Sequence, residues 1–141
     1  MKKRCTGFVM LTLALGIAAC IFFPTEVVGF AQFGNLVQIR ELNFIPDALT
    51  FPAGTISVLV VQNREDFITQ HEVWSRELFE PGTLVSISGS GTIEYGYKTI
   101  NRVLLDPGQE VVIWFYVEKD RIYNFHCNLN GHAMHAVING S

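Results

Sequence analysis

The run Phe125-His126-Cys127-Asn128-Leu129-Asn130-Gly131-His132-Ala133-Met134-His135 gathers a thiol, three imidazoles and a thioether near the C-terminus. Cys127 and His132 stand five positions apart. A thiolate and an imidazole on one tight loop can grip a soft metal ion. These donors suit copper and zinc, whereas carboxylates suit harder ions. Gly131 permits the close backbone path such a loop needs. Cys127 is the only cysteine outside the N-terminal segment 1–31, which holds Cys5 and Cys20. A disulfide within the folded domain is therefore not its role. A third donor must come from elsewhere, and His71 is the one histidine outside this run. If the loop before His71 and the Cys127 loop share one end of a sandwich, His71, Cys127 and His132 form a trigonal His₂Cys set. That is the geometry of electron-transfer copper, completed by a weak axial ligand. The plainer readings are that Cys127 packs as a small hydrophobe, His71 lies on a strand surface, Met134 fills the loop and His135 meets solvent.

The elements that must carry these residues are short strands and turns. Val37 to Phe44 reads as a strand, stopped by Pro46-Asp47. Thr50-Phe51 is extended before the turn Pro52-Ala53-Gly54. Ile56 to Val61 is β-branched and apolar, as a core strand should be. His71 to Trp74 and Leu84 to Ile87 are further strands, and Arg76 to Arg102 reads as a loosely structured insertion. Val103 to Leu105 precedes the turn Asp106-Pro107-Gly108. Val111 to Val117 is covered on much of both faces, with Trp74, Trp114, Phe115 and Tyr123 assigned to the core. From Ile122 to Cys127, Tyr123, Phe125 and Cys127 share one face; Asn124 and His126 share the other. This puts His126 on the surface without a partner. A last strand covers Ala136 to Asn139. Short strands at this density predict an all-β chain, an antiparallel β-sandwich of seven or eight strands.

The chain of 141 residues suffices for one domain, expected over 34–141. Residues 1–31 read as an export signal or anchor. Lys2, Lys3 and Arg4 precede the uncharged apolar run Phe8 to Phe23. Three endings stay open: lipidation at Cys20 in Ile17-Ala18-Ala19-Cys20, cleavage near Gly29 or Ala31, or retention as a membrane anchor. Each implies a periplasmic or other extracytoplasmic location. A cut at Cys20 leaves seven basic residues against thirteen acidic ones, a net charge of −6. So acidic a domain is a poor partner for nucleic acid. A lone thiol in an oxidising compartment calls for burial or a metal.

Strung together, these features resemble the cupredoxins, the small blue-copper proteins, from about Val37 to Gly140. The matching features are Pro52-Ala53-Gly54 before a core strand, Asn63 near that strand's end and His71 eight residues later. Asp106-Pro107-Gly108-Gln109 before a long apolar strand and Tyr123-x-Phe125-x-Cys127-x₄-His132 complete the pattern. The resemblance implies an eight-stranded Greek-key sandwich, one copper ion and one-electron transfer between redox partner proteins, without enzymatic activity. It assigns the histidine ligands to His71 and His132 and the thiolate to Cys127. Two departures stand out. Met134 follows His132 as His-x-Met, nearer than the usual axial methionine, so the axial group is Met134, His135 or none. Glu72 stands where asparagine often follows the first histidine; pointing inward, its charge favours Cu(II) and lowers the potential. The alternative function is a copper chaperone passing Cu(I) to an accepting protein, and a third reading is a structural or zinc-binding sandwich.

Overall fold

The computed structural model describes residues 35–141. The segment with Cys5 and Cys20, and every expectation about export, lipidation or anchoring, lies outside them. Among the described residues no helix is long and apolar enough to cross a membrane.

Among the described residues eleven strands, one α-helical turn and one 3-10 turn follow in order, more strands than the seven or eight expected. The first sheet runs β2-β1-β4-β9-β6. Its members are β1 (Leu36–Arg40), β2 (Asn43–Ile45), β4 (Ile56–Asn63), β6 (Leu84–Gly89) and β9 (Glu110–Tyr116). The opposite layer has two parts, β10-β11-β3 and β5-β8-β7. Here β3 is Ala48–Phe51, β5 His71–Val73, β7 Thr92–Tyr95, β8 Ile100–Leu105, β10 Ile122–Cys127 and β11 Met134–Gly140. A bridge between Trp74 and His126 joins the two parts, so β5 lies beside β10. The two layers enclose one core.

The strands form where the sequence alternates. On β9, Val111, Ile113 and Phe115 are buried, while Val112 and Trp114 are half-buried and Tyr116 is exposed. On β10, Tyr123, Phe125 and Cys127 point inward. Edge-on ring contacts knit the layers together: Phe44 with Phe125 at 4.9 Å, Phe51 with Phe115 at 5.5 Å and Phe115 with Tyr123 at 5.4 Å. The buried Tyr123 hydroxyl donates to Tyr116 O and accepts from Glu118 N–H.

The structure corrects several sequence expectations. The all-β sandwich stands, but β1–β4 and β3–β11 are parallel pairs rather than antiparallel ones. Parallel neighbours require a crossover; between β1 and β4 the chain visits the other layer as β3. The stretch 76–102 is regular, not loose. Ser75 Oγ caps a helical turn, α1 (Arg76–Phe79), by accepting Leu78 N–H at 3.0 Å. After it, β6 pairs with β9 and β7 with β8. Trp74 and Trp114, assigned to the core from sequence, are only half-buried.

Asn63 fixes the entry to the site. It is wholly buried. Its Nδ2 donates to Thr69 O and Leu105 O, both at 2.9 Å, and its Oδ1 accepts Glu65 N–H at 3.1 Å. One side chain therefore shapes the loop 64–70 and ties it to the end of β8. Replacing it with Leu strips partners from three backbone groups. Asn63→Leu should lower the stability of the metal-free protein by about 3 kcal/mol in urea unfolding. A loss below about 1 kcal/mol would contradict this account of the loop.

Candidate metal centre

Two donors from one loop and a third from 56 residues upstream meet at one end of the sandwich. β10 delivers Cys127 at its last residue, on the inward face. β5 begins with His71 and lies beside β10 through the Trp74–His126 bridge. His132 returns after a 3-10 turn at Leu129–Gly131, where Asn130 and Gly131 both take left-handed conformations (φ 55° and 81°). A residue with a Cβ enters that region with difficulty, so Gly131 suits the second position.

Cys127 Sγ lies 3.7 Å from His71 Nδ1 and 3.7 Å from His132 Nδ1. The two rings stand 4.8 Å apart, tilted by 40°. The ligand atoms of all three residues fall within 4.8 Å of one another. A metal about 2.3 Å from sulfur and about 2.0 Å from nitrogen spans an S···N edge of about 3.7 Å at trigonal angles and about 3.5 Å at tetrahedral ones. The two observed S···N edges are of the length that a shared metal would span. Of the three, Cys127 and His71 are wholly buried and His132 is half-buried.

Met134 is the cross-strand partner of Cys127 in the β10–β11 register. It is buried and shares the inward face with Ala136 and Ile138. Directly opposed side chains have Cβ atoms about 5 Å apart, so the register sets Met134 next to Cys127 on the inward face despite the short His-x-Met spacing. His135, the other axial candidate, points outward: it is exposed, and its Nε2 lies 3.2 Å from Asn124 Oδ1. It does not enter the cluster. His126 also faces outward, but it has a partner, because its ring packs against Trp74 at 4.3 Å, tilted by 38°.

Glu72 does not aim its carboxylate at the donors. Its backbone N–H donates to Cys127 Sγ at 3.3 Å, while Oε1 accepts Asn128 N–H at 3.0 Å and Oε2 accepts Arg102 Nη1 at 3.1 Å. The charge is therefore buried but ion-paired. Sequence reasoning missed Arg102, and it missed Glu65. The Glu65 carboxylate lies 3.6 Å from His71 Nε2 and accepts Leu42 N–H at 2.8 Å. That separation is too long for a hydrogen bond, and His71 Nε2 has no other partner. No local pattern marks either residue, although the acid-rich loop Arg64-Glu65-Asp66 before His71 was a signal of a kind.

The electrostatics follow from burial. Burial, and then His132, hold the His71 pKa below its ordinary value, against the pull of Glu65. Burial likewise pushes the Cys127 thiol up, against the amides of Glu72 and Leu129. The metal-free site thus keeps a neutral imidazole beside a neutral thiol. A metal needs the thiolate, so its binding must release that proton.

No protein-family model and no curated protein matches the sequence. Solved structures do. Auracyanin B aligns at a TM-score of 0.50 and 15% identity, covering 75% of this chain and 86% of that one. Dithionite-reduced auracyanin from Roseiflexus castenholzii aligns at 0.49 and 16%, covering 80% and 99%. A purple cupredoxin from Nitrosopumilus maritimus aligns at 0.45 and 15%, covering 75% and 98%. At these identities the likeness is one of fold, and auracyanin B carries it. The chain has the cupredoxin fold, as the resemblance in its sequence implied. Fold and site together define the class: a cupredoxin-like sandwich with a buried His₂Cys cluster at one end.

The two shifted groups give the metal-free protein a pH signature. The folded state resists protonating His71, so the unfolded chain binds more protons once pH falls through the ordinary value of 6.5. Stability should fall with pH from there down to the lowered pKa. The folded state also resists ionising Cys127, so stability should fall again as pH rises through the thiol's ordinary value of 9.0. Thermal unfolding of metal-free wild type against His71→Gln and Cys127→Ser checks both limbs. The acid limb should flatten in the first variant and the alkaline limb in the second.

Proposed function

We propose that this protein holds one copper ion through His71, Cys127 and His132, with Met134 as the weak fourth donor, and carries one electron at a time between redox partners. The observation that carries the reading is the pair of 3.7 Å approaches of His71 Nδ1 and His132 Nδ1 to the buried Cys127 sulfur. A thiolate with two imidazoles and an available thioether is the donor set of electron-transfer copper. Copper in such a set supplies a one-electron couple between Cu(II) and Cu(I).

The chain's own part is to keep the donors still. Cys127 is held by its strand and by the Glu72 amide. β5 holds His71, and the 3-10 turn holds His132. Donors fixed between the preferences of the two oxidation states need little movement when an electron arrives. Burial of Cys127, His71 and Met134 supports a carrier over an open transfer site for Cu(I). His132, half-buried, is the donor nearest solvent and the natural point of contact for a redox partner. The charged start and apolar run of residues 1–31 support a place on the extracytoplasmic side of a membrane, attached or released.

The test is an optical and EPR titration of the metal-free chain with copper. Wild type should take up one equivalent, develop an intense visible sulfur-to-copper band and bleach reversibly on reduction. Cys127→Ser should lose the band. A colourless protein that binds only Cu(I) and surrenders it to a chelator would favour copper handling instead. Preference for zinc in direct competition would favour a structural site.

A further inference from the structure

The tie between the two ligand-bearing segments is made by a charged group. Glu72 sits directly after His71, and its side chain is only 8% exposed. One carboxylate oxygen holds the amide of Asn128, the residue after Cys127. The other meets Arg102 on β8, and Arg102 Nε reaches Glu94 on β7 at 2.7 Å. A line of polar contacts thus runs from the edge strand β7 through β8 and β5 to the cysteine loop. A neutral amide at position 72 would accept from Asn128 just as well. The negative charge is not needed for the tie, yet it is kept next to the metal ligands.

A buried carboxylate is tolerated only when paired. Arg102 is the one cation ion-paired with Glu72 among the described residues. The two charges act oppositely on a centre that gains an electron. The anion opposes the added negative charge and the cation favours it, and both act through an interior that screens them less than water does.

We infer that Arg102 and Glu72 form a charge-tuning pair for this centre. Glu72 positions the cysteine loop and biases the site toward its oxidised state, and Arg102 offsets that bias. The inference rests on the copper reading above and adds to it the residues that set the redox balance. Neither is a ligand; both act through the loop and the field around Cys127.

The test uses midpoint potentials of the copper-loaded chain, taken by spectroelectrochemical titration at low and high salt. Glu72→Gln keeps the acceptor for Asn128 and removes the charge, so the potential should rise while the visible band keeps its position. Arg102→Met leaves the carboxylate unpaired, so the potential should fall, by less at high salt because Arg102 is partly exposed. The double variant removes both charges, so its potential should lie between those of the two single variants. Thermal unfolding of the metal-free forms gives a readout without copper. Arg102→Met should lower the melting temperature more on its own than when combined with Glu72→Gln. Shifts of the same sign in both single variants, or no coupling in the metal-free melts, overturn the pair. A merely structural role would alter the visible band in both without this opposition of sign. Wild type that takes up no copper overturns the copper reading as well, and a blue wild type with unshifted variants overturns this inference alone.

Discussion

Two backbone hydrogen bonds between Trp74 and His126, at 2.9 and 3.0 Å, decide whether this molecule has a site at all. They join β5 to β10 and make one layer from two separate groups of strands. Without them His71 would sit on a free edge, far from the only thiol in the described domain. With them, the start of β5 lies against the end of β10, and the imidazole meets the sulfur. The tilted contact of the His126 ring with Trp74 closes the same junction from outside. Position 126 therefore matters for joining the layer, and its neighbour 127 for chemistry, because alternation sends them to opposite faces.

Burial then turns proximity into a demand. A thiol and two imidazoles close together, two of the three cut off from water, share few hydrogen-bond partners. The Glu72 amide reaches the sulfur, and Glu65 approaches the far side of His71 without bonding to it. Polar groups left this way are costly in a packed interior. A metal bound by the three would satisfy their lone pairs at once. The same packing that makes the empty cluster awkward would hold the filled one rigid. The surrounding aromatic contacts, above all Phe44 on Phe125, leave β10 little freedom to give way.

Charge is handled differently from polarity. The acidic side chains near the cluster each have something to answer to. Glu65 takes the Leu42 amide, presented by a turn whose residues Glu41 and Leu42 are both left-handed. Such backbone is costly for bulky residues. Glu72 takes Arg102 and the Asn128 amide. The domain is acidic overall, yet the two acids beside the cluster each face a donor or a cation.

What the sequence determined by itself is local. Alternation put Tyr123, Phe125 and Cys127 on one face, and residue chemistry singled out Cys127, His132 and His71 as soft-metal donors. The order of turns and apolar strands was enough to resemble a cupredoxin. The same alternation, carried two residues further back from Ala136, would have put Met134 inward and His135 outward; starting the strand late hid it. The regular structure of 76–102 was less visible, because Ser- and Gly-rich β6 takes its register from β9 rather than from its own pattern. Only the tertiary structure decided that β5 lies beside β10, that Glu72 turns to Arg102 thirty residues on, and that Glu65 stands behind His71. The reason is physical. Face and propensity are set by neighbours along the chain, whereas pairing, register and buried charge are settled by residues that only the folded sheets bring together.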